Sequence, residues 1–250
     1  MIAKEIRHAF FIGDVHLDSR KPDREKAFCR LLDSVVESHP DQVFLMGDIF
    51  EFWYGYKKVM FSEYVIPVIK IHKLVESGIP VAYMSGNHDF HPGMVFEEKL
   101  KIEVFHEPVR VKIEDHYVYV AHGDQINASD WKYLLLRKTL RNPIMQFLWE
   151  TFVPPSLAWY IGRGTSDSSR KLSDDSERPI SKDDFDSFCR REVGAGVNVV
   201  LHGHNHNQGV RTWEEDGKKL KVIDTGAWLG EKGHYIEYVD GEFICRQWPI

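Results

Sequence analysis

With 250 residues, 43% of them hydrophobic and 28% charged, the chain has the size and composition of a folded soluble domain rather than a disordered segment. Its 32 basic and 38 acidic residues leave a net charge of −6, which argues against a general nucleic-acid binder, since such a protein needs a basic face to displace counterions. No apolar stretch approaches the roughly 20 residues of a spanning helix, MIAKEIRHAFFIGDVH lacks a signal peptide's apolar core, and Cys29, Cys189 and Cys245 have no paired spacing, so a reduced cytosolic setting is expected.

In chain order, HAFFIG (8–13) reads as a buried strand. Phe28, Leu31, Leu32, Val35 and Val36 then mark one face of a helix between Pro22 and His39, with Pro22 in its first turn. QVFLMG (42–47) is a second strand, followed by a helix from an N-capping Ser62 to Ser77, kinked at Pro67 and ended by Gly78. IPVAYMS (79–85) is a third strand. IEVF, VRVKI, HYVYVAHG (116–123) and VNVVLHG (197–203) follow, then a strand-rich tail with a hairpin turn at EEDG (214–217). Strands alternating with helices predict an α/β fold with a largely parallel core.

Strand after strand ends in a glycine beside metal-ligand chemistry: FIGDVH, LMGDIFE, MSGNHD, VAHGD and LHGHNH. Sites in α/β sheets form outside the carboxyl ends of the strands, so polar residues placed there converge, and glycine lets the backbones approach closely. Singly, each motif could be a turn. Together they are better read as a metal site, because buried charged groups are costly unless paired or metal-bound. Oxygen donors from Asp14, Asp48 and Asn87 with nitrogens from His16, His122, His204 and His206 exclude a soft thiolate site. They suit Mn²⁺, with Fe and Zn²⁺ as the other candidates. Seven ligands suit two divalent ions if one carboxylate bridges, and ions about 3.5–4 Å apart clamp the attacking and leaving oxygens of phosphoryl displacement. His88 is placed to hold a phosphate oxygen or protonate the leaving oxygen. Asp89 either orients His88 or caps its own turn. Asn87, His88 and Asp89 are the candidate catalytic residues, and Asp124 is a candidate for orienting a ligand.

Asp-x-His, Gly-Asp, Gly-Asn-His-Asp, His-Gly-Asp and Gly-His-x-His, in this order over residues 13–206, resemble the calcineurin-like metallophosphoesterase superfamily. The resemblance implies one metal on Asp14, His16, Asp48 and His206, and another on Asp48, Asn87, His122 and His204, with Asp48 as the bridge. It also implies a β-sandwich of two mixed sheets flanked by helices, which modifies the parallel-sheet expectation.

Between the fourth and fifth motifs lies an apolar excursion, about residues 125–180, with helical patterning over Trp131–Leu140 and Ile144–Phe152. It reads as an inserted helical cap on a single domain. Its apolar faces either pack on the main domain or form a greasy chamber, edged by Arg137, Lys138, Arg141, Arg163, Arg170 and Lys171 and suited to an acylated phosphate or a membrane surface. Ser129-Asp130, Tyr133, Ser168, Gly226-Ala227-Trp228 and the aromatic GDIFEFWYG together resemble the UDP-2,3-diacylglucosamine diphosphatase family over nearly the whole length. That resemblance implies hydrolysis of the pyrophosphate of a UDP-linked, twice-acylated glucosamine in lipid A synthesis, with Mn²⁺, at the cytosolic face of the inner membrane. Asn87, Asp130, Tyr133, Ser168, Arg170, Lys171 and His204 would contact substrate. The other reading is a phosphodiesterase or phosphatase acting on a soluble nucleotide or other phosphoester. Two positions depart from the narrower family: His88 stands where it has Arg, and 173–177 (SDDSE) is acidic where it tends to carry a Lys.

Overall fold

Four buried residues, AFFI, make strand β1 (Ala9–Ile12) at the heart of the first sheet. The computed structural model describes residues 2–172 and 180–250, and for residues 165–172 the backbone alone. Along β1 the side chains alternate: Ala9 and Phe11 point between two sheets, while Phe10 and Ile12 point to the helices outside. Such a strand is apolar on both faces, which is why the sequence shows a continuous run rather than an alternating one.

Helix α1 (Pro22–Ser38) begins at its proline and buries Phe28, Leu31, Leu32 and Val35 against the first sheet. Strand β2 (Gln42–Leu45) follows, then α2 (Val65–Glu76) and β3 (Val81–Met84). The helix does not start at Ser62. Residues Ser62–Tyr64 form a separate 3₁₀ turn, and no side chain caps α2. Pro67 therefore falls in the first turn of α2, where an N–H has no intrahelical acceptor to lose.

After β4 (Glu103–Phe105) the chain crosses to the second sheet with β5 (Val109–Ile113) and β6 (His116–Ala121). The helices α3 (Trp131–Leu140), α4 (Pro143–Phe152) and α5 (Pro155–Leu172) come next, and then α6 (Lys182–Gly194). Asn142 caps α4 by accepting from the N–H groups of Ile144 and Met145, so the Asn-Pro break is a helix start. Strands β7 (Val199–His202), β8 (Gly209–Glu215), β9 (Lys218–Asp224), β10 (Lys232–Val239) and β11 (Glu242–Pro249) complete the fold. The β8–β9 turn is Asp216-Gly217, with φ of 50° and 74°, the left-handed pair that a two-residue hairpin demands. Asp240-Gly241 does the same for β10–β11 with φ of 53° and 80°.

The six-stranded sheet runs β11-β10-β1-β2-β3-β4 and the five-stranded sheet β5-β6-β7-β9-β8. Strands β1 to β4 are parallel, but β10 joins β1 antiparallel, and β5 and β8 are antiparallel edges on the parallel trio β6-β7-β9. The plain parallel-sheet expectation is thus corrected to two mixed sheets. They pack face to face through Phe11, Phe44, Val118, Leu201 and Ile236, with α1 and α2 covering the first sheet and α6 the second. Among the described residues, no helix is long and apolar enough to cross a membrane.

Candidate metal centre

The loops after β1, β2, β3, β6 and β7 carry the motif residues, so the parallel strands of both sheets deliver them to one edge. Backbone hydrogen bonds lace neighbouring loops together, Asp14 N to Gly47 O at 3.0 Å and His16 N to Asp48 O at 2.9 Å. The tail braces the first motif: buried Trp228 donates its backbone N–H to Asp14 O at 3.0 Å.

Glycine's role here is close approach. A Cβ on Gly86 would lie 2.1 Å from Asp48 Oδ1, and one on Gly203 would lie 2.2 Å from Asp14 Oδ2. Positive φ falls on Gly47 and Gly123 and also on the polar motif residues themselves: Asp14 and His16 at φ 49°, Asp48 at 51°, His204 at 73° and His206 at 62°. Such strain costs on the order of 1–3 kcal/mol per residue and persists where the surrounding structure over-determines it, as at functional sites.

Among the described residues, donor atoms gather in three groups, each within 4.8 Å: two of motif residues, Asp14 with His16 and His206 and Asp48 with His122 and His204, and a third of His16 with Glu51 and His88. In the first, His206 Nε2 is 3.3 Å from Asp14 Oδ1 and 3.2 Å from His16 Nε2. In the second, His122 Nε2 is 3.5 Å from Asp48 Oδ2 and 3.1 Å from Asn87 Oδ1. Asp48 Oδ2 also lies 4.0 Å from His16 Nε2, so it faces both groups. The His16–His206 and His122–Asn87 contacts are within hydrogen-bond reach, and the remaining distances are those of donor atoms gathered close together without a direct bond. Asp14, His16, Asp48 and His122 are all buried, and buried carboxylates need compensating positive charge. The effect on the imidazoles is visible: burial would lower His122, yet Asp48 and Asp14 push it up to about 9. His204 goes the other way, pushed down to about 4 by burial and by His122, which leaves it a neutral donor. A hard oxygen and imidazole set of this kind fits divalent cations.

Asp89 is not the residue that orients His88. Its fully buried carboxylate accepts from Asp48 N (3.1 Å), Ile49 N (2.8 Å), Gly86 N (2.8 Å) and Tyr83 Oη (2.5 Å), which hold the Asp48 loop against the Asn87 loop. A catalytic role is corrected to a positioning one, because the group is sealed from substrate. His88 is oriented by Glu51 instead, donating from Nδ1 to the Glu51 carbonyl at 2.8 Å. A carbonyl only accepts, so the hydrogen sits on Nδ1 and Nε2 turns inward, 3.9 Å from Asp48 Oδ2. Glu51 was missed at the sequence level. Its only signal was a carboxylate three residues after Asp48 in an otherwise aromatic stretch. His91 packs on Tyr54 and lies 3.6 Å from Glu150, a tie between this loop and α4.

Asp124 receives Tyr133 Oη at 2.7 Å and Arg137 Nε at 3.0 Å, which binds α3 to the strand end that carries His122. Asp130 caps α3 by accepting from Tyr133 N, and the Tyr133 ring stacks at 6.5 Å on His204. Ser168, Arg170 and Lys171 lie where the backbone of α5 alone is described, and 173–177 lies outside the described residues. Of the expected cationic edge, Arg137, Arg141 and Arg163 are engaged in holding the structure. Arg137 and Arg141 both bond the His106 carbonyl, and Arg163 pairs with Asp18 and stacks on Trp159.

The inserted helices pack on the aromatic stretch after Asp48: Phe52, Tyr54 and Tyr56 form a cluster with Ala158, Trp149 and Val153. Tyr54 and Tyr56 donate to the carbonyls of Gln146 and Val153. Much of the remaining apolar surface faces outward, with Trp131, Ile144, Phe147, Phe152 and Tyr160 each 60% exposed or more. Large apolar side chains exposed in this number on neighbouring helices are the kind of surface by which proteins dock on partners or membranes.

Two mixed sheets with oxygen and nitrogen donors gathered at their strand ends define a metal-dependent hydrolase of the metallophosphoesterase class. The chain belongs to the calcineurin-like phosphoesterase family, whose sequence profile matches residues 8–208. It is 29% identical over 240 residues to UDP-2,3-diacylglucosamine hydrolase of Azotobacter vinelandii, covering 96% of this chain and 98% of that one. It is 26% identical over 248 residues to the protein of that name from Vibrio vulnificus, with 96% and 97% covered. A dimetal phosphatase from Danio rerio shares the fold, with a TM-score of 0.53 at 10% identity over 98% of this chain and 96% of that one.

Proposed function

We propose that this enzyme hydrolyses the pyrophosphate of UDP-2,3-diacylglucosamine, releasing the lipid monophosphate and UMP. The observation that carries the reading is an apolar helical cap bonded, through Tyr133 and Asp124, to the strand end that carries His122. A soluble phosphoester has no use for such a surface, whereas acyl chains do. The full-length similarity to proteins of that name supports the same substrate.

Asp14, His16, Asp48 and His206 would hold one cation and Asp48, Asn87, His122 and His204 the other, Mn²⁺ being favoured by the oxygen donors. When bound, the two ions acidify water and neutralise charge on the reacting phosphate. His88, fixed by the Glu51 carbonyl, presents Nε2 to the site and in its protonated form donates to the leaving oxygen. Asn87 and His204 would border the phosphate and Tyr133 and Asp130 the approach from the cap, while Ser168, Arg170 and Lys171 are further substrate contacts that the family resemblance implies. The outward apolar residues of the cap suit peripheral contact with the membrane that holds such a lipid.

His88, which replaces the Arg of the narrower family, favours a second reading: hydrolysis of a soluble nucleotide or related phosphoester. One assay separates them. Mn²⁺-loaded enzyme should release UMP from UDP-2,3-diacylglucosamine and lose that activity on chelation. Rapid hydrolysis of a soluble diester with no UMP release from the acylated substrate would select the second reading.

A further inference from the structure

Glu51 is only 1% exposed and joins three loops of the site. Its backbone N–H donates to Leu17 O at 3.0 Å, one residue beyond His16. Its carbonyl accepts from His88 Nδ1 at 2.8 Å. Its carboxylate Oε2 stands 3.7 Å from His16 Nδ1. On the opposite side of that ring, His16 Nε2 looks into the centre, 3.2 Å from His206 Nε2 and 4.0 Å from both Asp14 Oδ1 and Asp48 Oδ2.

An imidazole that offers Nε2 to a cation carries its hydrogen on Nδ1. A carboxylate on the Nδ1 side, at 3.7 Å and so beyond hydrogen-bond length, favours that tautomer through its charge and makes Nε2 the stronger donor. Burial points the same way. A carboxylate this deeply buried is costly unless positive charge offsets it, and an imidazole with a cation behind it supplies that charge.

We propose that Glu51 is a positioning residue with two outputs: its carboxylate fixes His16 as the Nδ1–H tautomer, and its carbonyl does the same for His88. Both rings then present Nε2 to the reaction. A single residue thereby aligns His16 with His88 across two loops of the site. The inference rests on the metal centre described above.

Glu51→Gln keeps the shape of the side chain and removes its charge. Mn²⁺ titration followed by electron paramagnetic resonance should find two sites in the unaltered protein. In E51Q, one site should weaken by about 10- to 100-fold and the other should keep its affinity. Two sites of unaltered affinity in E51Q overturn the proposal. An unaltered protein that takes up no Mn²⁺ removes the metal centre instead, a different failure. If E51Q does not fold, long-range ¹H–¹⁵N spectra of the unaltered, Zn²⁺-loaded protein decide. His16 must show a protonated Nδ1 and a ligating Nε2; metal on its Nδ1 refutes the assignment.

Discussion

Tyr133 donates its phenolic hydrogen to Asp124 at 2.7 Å, and Asp124 lies two residues beyond His122, so the first helix of the insertion is bonded to the edge of the metal centre. Arg137 Nε meets the same carboxylate oxygen at 3.0 Å. The Asp124 carboxylate is thus one of the links between the cap and the ligand-bearing strands, beside the bonds of Arg141 to the carbonyls of Ser85 and His106. Tyr133→Phe should cost about 1–3 kcal/mol, since a buried carboxylate loses one of its donors. Hydrogen exchange should quicken in α3, and kcat/KM for the acylated substrate should fall. Unchanged exchange in α3 would show that Arg137 and Arg141 hold the helix without it.

Asp48 faces both donor groups, whereas His206 faces one. Asp48→Asn is expected to weaken both metal sites and to lower activity by more than about a hundredfold, the upper end of what losing even an outer partner of a metal site does. His206→Ala should weaken one site only. Metal titration of the two variants checks the difference, and equal losses would mean that the sites do not divide as described.

Asp89 should matter for stability before chemistry. Asp89→Asn is nearly isosteric, but an amide has one acceptor oxygen for the four donors that now converge on the carboxylate. A loss of roughly 2–4 kcal/mol is expected, because hydrogen bonds to charged groups are the strong ones and do not add fully. Urea unfolding of metal-free protein measures it, with no contribution from the ligands' affinity.

His106 gives the fold a pH dependence away from the ligands. Burial, and then Arg141, push it down to about 4. The ordinary value is about 6.5, so the unfolded chain takes up the proton first. Stability is full above about 6.5 and is lost progressively as pH falls toward 4. Thermal midpoints should drop between pH 7 and pH 5, and His106→Gln should flatten that part of the curve. An identical slope in the variant would assign the loss to other groups.

Much of the site was legible because its chemistry is local. A short apolar run ending in glycine and then Asp, His or Asn reads as a strand end with metal-ligand chemistry wherever it occurs, and five such runs in one chain point to a shared crevice. Helix α1 was equally plain, since Pro22 starts it and its buried face repeats at helical spacing. Glu51 and Asp89 were not legible in this way. An acid in a loop looks the same whether it is solvated, capping a turn or holding another loop. Glu51 acts on His16 and His88, and Asp89 on Asp48, and those partners come from different strands. The antiparallel entry of β10 beside β1 was hidden for the same reason, as the two strands lie at opposite ends of the chain.

By itself, the sequence determined which donor types the chain possesses, their order, and the apolar helical excursion between the fourth and fifth motifs, because each is a property of neighbouring residues. Only the tertiary structure decided which donors share a group: His16 and His206 meet at 3.2 Å across a separation of 190 residues. It alone also decided which apolar side chains of the insertion pack inward, as Ala158 does, and which face outward, as Ile144 and Phe152 do, and that Arg137, Arg141 and Arg163 are spent on carboxylates and carbonyls. Distances between remote residues are set by how the two sheets stack and twist, and that depends on the whole core at once rather than on any one segment.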